Sequence, residues 1–203
     1  MRNKVDKVIK NLEKRSIKAR YFDTTEEAKK AIIKEIESAS SIGIGGSMTI
    51  KDMGIYETLL EDKKNVHWHW MVEPEKRGDV LKLAATSEVY LASTNALTEN
   101  GELLNIDGMG NRVSGMYFGS EKVIIVCGIN KICSDLITAM DRIKEKACPP
   151  NAKRLGLKTP CAVTGHCTEC FGDERMCNIT VIINHKPKTV DLNVYIIGEN
   201  LGF

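Results

Sequence analysis

Ala92–Gly119 reads ASTNALTENGELLNIDGMGNRVSGMYFG, and the remainder of the chain arranges itself about this stretch. A strand enters it over Glu88–Ala92, the chain turns through Ser93-Thr94-Asn95, and a hairpin folds back at Glu99-Asn100-Gly101. Asn-Gly is a strong hairpin signal because both residues accept the positive φ that a tight turn imposes. Asn105–Arg112, NIDGMGNR, then has six polar or Gly positions in eight, set between apolar runs. Gly permits close approach of backbone to a ligand, Asn and Asp supply hydrogen bonds, and Arg matches an anion. Two consecutive tight turns would have the same composition. Glu99 and Asp107 bracket the hairpin as candidate acid–base carboxylates, although a turn carboxylate is commonly only solvated. Arg112 is a candidate anion clamp, its alternative being a surface ion pair of little energetic worth.

Outward from this centre, apolar β-branched runs alternate with helical patterns. Upstream, Thr24–Ser38 carries a capping box, Thr24 with Glu27, and an apolar face of Ala28, Ala31, Ile32 and Ile36. Ser41–Gly45, SIGIG, reads as a short buried strand, and Met48–Leu60 as the helix after it. Val66–Trp70 alternates as a strand should, with His67 and His69 on one face as a weak metal-binding pair against a solvated strand face. Pro74–Ala85 is expected to be helical, with Pro in its first turn. Downstream, Lys122–Val126 is a continuous apolar strand, and Asn130 is expected to cap a helix over Lys131–Lys146. Asn178–Asn184 and Asn193–Gly198 close the chain as strands. Short strands apolar on both faces, alternating with helices, indicate an α/β protein with a mostly parallel sheet covered by helices. The antiparallel hairpin is a local departure from that plan.

Gly43-Ile44-Gly45-Gly46-Ser47 lies between a strand and a helix start. Free N–H groups at a helix start attract phosphate or carboxylate, and Gly lets the ligand touch backbone. The motif lacks the third Gly of a dinucleotide fingerprint and the Lys-Ser/Thr of a P-loop. A tight turn capped by Ser47 or Thr49 is the competing reading.

The 203 residues suffice for one sizeable core, with or without a small appendage. A formal net charge of +2 implies no polyanionic partner, so nucleic-acid binding is not expected. The basic excess is local to residues 1–20, where Val5, Val8, Ile9 and Leu12 recur at helical spacing. This segment reads as an amphipathic basic helix that packs or lies at an interface, and its Asp6 and Glu13 are unlike a targeting peptide. No apolar run approaches the roughly 20 residues of a membrane span. Residues 21–203 form the domain proper, with a cysteine-rich excursion over 148–177 that begins at Cys148-Pro149-Pro150 and lacks periodicity.

Seven cysteines, an odd number, and no secretion signal argue against a disulfide framework and for a reducing cytoplasm. Cys161, Cys167, Cys170 and Cys177 are spaced C-x5-C-x2-C-x6-C. Cys-x2-Cys is the usual half-site for one ion, and thiolate sets favour zinc or an iron–sulfur cluster. The spacing matches neither a standard zinc finger nor a ferredoxin run, and a reversible disulfide pair or inert thiols stay open as readings. His166 and Cys148 are weaker additional ligands, while Cys127 and Cys133 sit in core patterns.

In combination, Gly45-Gly46-Ser47, Thr94–Gly101, Asn105–Gly108, Gly110–Val113, Phe118-Gly119, Gly128–Lys131, Pro149–Leu155, Thr159–Cys161, the later cysteines and the tail Leu201–Phe203 resemble the LUD-domain family, the lactate-utilisation proteins of bacteria. The resemblance spans about Arg20 to Phe203. It implies membership of the broader superfamily of glucosamine-6-phosphate deaminase, ribose-5-phosphate isomerase and the CoA-transferases, hence a three-layer α/β/α fold with a cleft at the C-terminal ends of parallel strands. It implies cleft-facing roles for Gly45, Gly46, Ser47, Thr94, Asn95, Asp107, Asn111 and Arg112. Beyond Asp107 and Glu99 the chain has no counterpart of the superfamily's catalytic carboxylates, so isomerase or transferase chemistry is not carried over. The resemblance further implies a redox system oxidising lactate with iron–sulfur protein partners, a small anionic ligand and room for a homo-oligomer. The alternative is an enzyme acting on a phosphorylated or acyl-CoA-type substrate, with purely structural cysteines.

Overall fold

The computed structural model describes residues 2–203. Its first helix, α1 (Arg2–Lys14), buries Val5, Val8 and Leu12, the apolar stripe that its spacing predicts. It stops earlier than expected, because Ser16 takes a positive φ of 59° and the chain enters β1 (Lys18–Phe22). Helix α2 (Thr25–Glu35) follows, with the Thr24 side chain accepting from Glu27 N as the capping pattern requires. The apolar IGI of β2 (Ile42–Ile44) is wholly buried.

The single helix expected over Met48–Leu60 is two, α3 (Met48–Asp52) and α4 (Ile55–Glu61), separated by Gly54 at φ +61°. Positive φ breaks a right-handed helix, and Gly adopts it without steric cost. Strand β3 ends after Val66–His67, and His69–Met71 is a 3₁₀ turn, so the expected alternation through Trp70 does not continue. Helix α5 (Arg77–Ala85) leads to β4 (Val89–Ser93), all five of whose residues are buried. The predicted hairpin forms from β5 (Ala96–Thr98) and β6 (Leu103–Asp107), with Gly101 at φ +88° in the turn.

After the short α6 (Asn111–Gly115) and β7 (Lys122–Gly128), the chain departs from expectation again. Asn130 does not cap a helix; it lies in a 3₁₀ turn, and Ile132–Cys133 is strand β8. Helix α7 (Leu136–Arg142) starts five residues later, where Asp135 and Thr138 make a reciprocal capping box. Its end widens through a π-helical turn at Ile143–Ala147 into α8 (Cys148–Arg154). Beyond α9 (Pro160–Thr164) the chain is irregular until β9 (Ile179–Ile183), and β10 (Asp191–Ile197) is the last strand.

Six strands form the main sheet in the order β1-β10-β7-β4-β2-β3, and every pairing in it is parallel. Alternate residues of β7 enter opposite layers. Val123, Ile125 and Cys127 pack with α1 and with Val113 and Met116 around α6; Ile124 and Val126 pack with α2, α3 and α4. That alternation of period two makes a buried strand apolar on both faces and gives the α/β layering. The hairpin belongs to a second sheet, ordered β8-β5-β6-β9, which lies over the α1 side through Leu97, Leu103 and Ile183. Among the described residues no helix is long and apolar enough to cross a membrane.

Candidate functional site

Strands β2, β4 and β7 run parallel, so their C-terminal ends open on one rim. The residues just beyond them, Gly46-Ser47, Thr94-Asn95 and Lys131, line a cleft of about 490 Å³. The other wall comes from β6 and α6, through Asp107 and Arg112, and from Cys148, Arg154 and the irregular 173–178 segment. A cleft there is what open parallel sheets provide, because successive chains leave their strands in diverging directions.

The two flanking loops are built differently. In the Gly turn, the Ser47 hydroxyl accepts from Ile50 N at 3.2 Å and caps a helix of only five residues. A Cβ at Gly46 would lie 3.3 Å from the Trp70 indole, and one at Gly45 would lie 2.7 Å from Tyr90 Oη, so both glycines allow close packing. Gly46 faces the cleft; Gly45 lies behind it, against Tyr90 and the Arg112 stem. In the second loop, Asn95 Oδ1 accepts from Ile106 N at 2.9 Å, and Asn105 Oδ1 accepts from Asn95 N at 3.1 Å. The Thr94 hydroxyl lies 2.9 Å from Ala96 O and 3.3 Å from Leu104 O. These bonds bolt the end of β4 to the hairpin. Asn111 lines the cleft at the start of α6, just after Gly110 at φ +86°.

Arg112 is nearly buried, at 9% exposure. Its Nη1 donates to Ser93 O (3.0 Å) and Asn105 Oδ1 (2.8 Å), and its Nη2 to Asn95 Oδ1 (3.1 Å) and Ile106 O (3.0 Å). Its Nε lies 3.3 Å from Asp107 Oδ2. A guanidinium has five N–H donors, and all five are thereby committed to protein acceptors. The Asp107 carboxylate is equally engaged, since Oδ1 accepts from Gly110 N at 2.8 Å. The geometry makes Arg112 and Asp107 the joint between the main sheet and the hairpin. Glu99 is elsewhere: it sits in the hairpin turn against α1, 3.2 Å from Lys4 Nζ and 2.9 Å from Lys7 Nζ, and it does not line the cleft. Those two lysines hold its carboxyl below the usual carboxylate range.

The sequence reading passed over Lys131 as a site residue. It is 3% exposed and lines the cleft, and its Nζ donates to Thr49 Oγ1 and Ser93 Oγ, each at 3.0 Å. No carboxylate pairs with it among the described residues; the weakest of the influences on its charge is the attraction of Asp52. Burial lowers its pKa from the ordinary 10.5 to about 8. An ammonium carries three donors, so one is left over beside the cleft. Arg142 steadies the neighbourhood, donating to Asn130 O at 2.9 Å and Asn95 O at 2.7 Å. His69 also reaches the cleft; burial, then Arg77 and Arg154, lower its pKa, and Nδ1 has no partner. It shares no strand face with His67, because β3 has already ended.

The four thiols expected to share an ion do not converge. Among the described residues no three His, Cys, Asp or Glu side chains gather as a metal site. Cys161 is buried in α9 against the Thr159 hydroxyl at 3.4 Å, and Cys167 and Cys170 are half-buried in the irregular segment. Cys177 instead meets Cys148, Sγ to Sγ, at 3.4 Å. The C-x2-C spacing is a local feature of chain length, whereas the fold brings Cys177 back alongside α8. Two sulfurs in contact are fewer than the three or four thiolates that a zinc or iron–sulfur site takes. That contact, with Arg175 and Lys144, draws the Cys177 thiol down, and the same contact with burial pushes Cys148 up.

Parallel strand ends, a cleft across them and a second sheet joined to the first through Arg112, Asn95 and Asn105 define an α/β protein with a candidate small-molecule site. The LUD domain matches residues 5–197, and the chain belongs to that family. The fold is similar to the crystal structure of a DUF162 family protein from Deinococcus radiodurans. That likeness has a TM-score of 0.57 at 11% identity and covers 97% of each chain. No curated protein matches the sequence.

Proposed function

We propose that this LUD-domain protein serves a bacterial lactate-utilisation or related redox system by binding a small organic anion in the cleft. One observation carries the reading: Lys131 holds an ammonium at the end of β7, buried beside open volume, with hydroxyl partners and no carboxylate. A buried charge without a counter-ion is costly, and a carboxylate or phosphate arriving in the cleft relieves that cost. Arg154, whose guanidinium lies 4.6 Å from the Trp70 ring centre, adds positive potential to the same volume. Gly46 leaves room for the ligand to approach backbone, and Asn111 offers an adaptable donor and acceptor. Arg112 and Asp107 shape the wall rather than touch the anion.

Titration calorimetry with L-lactate, pyruvate and inorganic phosphate tests this. One of these anions is expected to bind the wild type, and Lys131→Met is expected to weaken it by about 2–5 kcal/mol, roughly thirtyfold or more. Binding that survives Lys131→Met unchanged, in a variant with the wild-type circular dichroism spectrum, would refute the assignment.

A further inference from the structure

Cys148 and Cys177 lie 29 positions apart, yet their sulfurs are 3.4 Å apart and both residues line the cleft. Theirs is the only thiol–thiol contact among the described residues. Cys148 opens α8, a regular helix; Cys177 ends the irregular segment, one residue before Asn178 ties the chain to Asp107 O at 3.0 Å. Both ends of the pair are thus anchored. Closing the gap to a bonded distance near 2.05 Å takes a movement of roughly 1.4 Å, within reach of small side-chain rotations. Neither Cys127 nor Cys133 has such a neighbour, and both are buried in the core.

We propose that Cys148 and Cys177 form a redox-active dithiol at the cleft, whose reaction partner is a low-molecular-weight disulfide. The half-buried Cys177 is the more accessible of the two, and Cys148, 6% exposed, sits behind it. Cys177 Sγ gives up its proton and attacks one sulfur of the disulfide. The S–S bond breaks, and the first half leaves as a thiolate that takes up the proton. Cys148 Sγ, losing its own proton, then attacks Cys177 Sγ of the mixed disulfide and expels the second half as a thiol. Two cysteine thiols are oxidised to one disulfide, and one external disulfide is reduced to two thiols. The new bond tethers the 165–178 segment to α8 along the cleft wall.

The sequence makes the test clean. Trypsin separates Cys148 (residues 147–153), Cys177 (176–188) and the Cys161, Cys167 and Cys170 group (159–175) into three different peptides. The full-length protein is incubated with oxidised glutathione, alkylated, digested and analysed by mass spectrometry. A cross-linked 147–153/176–188 species is expected to be the dominant disulfide, and dithiothreitol should reverse it. In Cys148→Ser, Cys177 should accumulate instead as a stable glutathione adduct, because nothing resolves it. A dominant cross-link within the 159–175 peptide, or alkylation of Cys148 and Cys177 in full, overturns the proposal. So does blockage of both thiols by a co-purified metal ion that a chelator releases. Because the wild-type arm reads the bond directly, it stands even if the variant does not fold, and it is independent of anion binding.

Discussion

Arg112 and Lys131 are both buried cations at the rim of one cleft, and the fold treats them in opposite ways. Arg112 meets five acceptors, including a carboxylate, and joins two sheets. Lys131 meets two hydroxyls and keeps a donor in hand. The difference follows from the side chains. A planar fork with fixed donor directions suits permanent construction, while a compact ammonium on a flexible stem suits a partner that comes and goes. A cation in a cleft is therefore evidence for a ligand only when its own protein has left it short of partners.

The contrast is broken most severely at Arg112. Arg112→Met should cost about 3–5 kcal/mol in urea unfolding, because the buried Asp107 carboxylate and its neighbouring oxygens lose their donor. A cost below about 1 kcal/mol would mean the joint is dispensable. The opposite is expected of Lys131→Met. Without ligand it should be neutral or stabilising by about 1–4 kcal/mol, since it removes a buried charge that nothing balances.

The pH dependence sharpens this second half. Lys131 has a folded pKa of about 8, below its unfolded value, so between pH 8 and about 10.5 the unfolded chain binds the extra proton. Below pH 8 the group is charged in both states and its destabilisation is full and constant. Above it, the wild type should gain up to about 3 kcal/mol relative to Lys131→Met. Paired unfolding curves across that range check the sign, and a flat difference would place the amine in a wetter setting. The smallest effect is expected at Glu99. Glu99→Gln should leave the melting temperature unchanged within error, because bridges to half-exposed lysines are screened by water and salt.

Much of the frame was legible because period-two burial and capping chemistry are local. The parallel sheet, the hairpin at Asn100-Gly101 and the Thr24 cap all rest on short-range rules. What failed involved competition between local options. Asn130 and Asp135 both look like helix caps; Asp135 wins, and Asn130 is taken by the tail, its Oδ1 accepting from Leu201 N at 3.1 Å. That same choice hid Lys131, which the expected helix over Lys131–Lys146 took as its first residue, whereas the chain holds it in a 3₁₀ turn at the cleft. Its one usable signal was its position, a cation just past a continuous apolar strand. The Cys148–Cys177 contact escaped for a related reason. Spacing reports which thiols are near in sequence, and the Cys148–Cys177 contact spans two helices and a loop.

The π-helical turn at Ile143–Ala147 carries a consequence of its own. A π turn holds one residue more than an α turn of the same length, and each residue of a helix advances by about 100°. The inserted residue thus sets the rotational phase of everything that follows. Cys148, Asn151 and Arg154, spaced three apart on α8, all point into the cleft in that phase. Deleting one residue from 143–147 would turn the whole row by more than a quarter of a revolution. Thiol, amide and guanidinium would leave the cleft together, with none of them mutated.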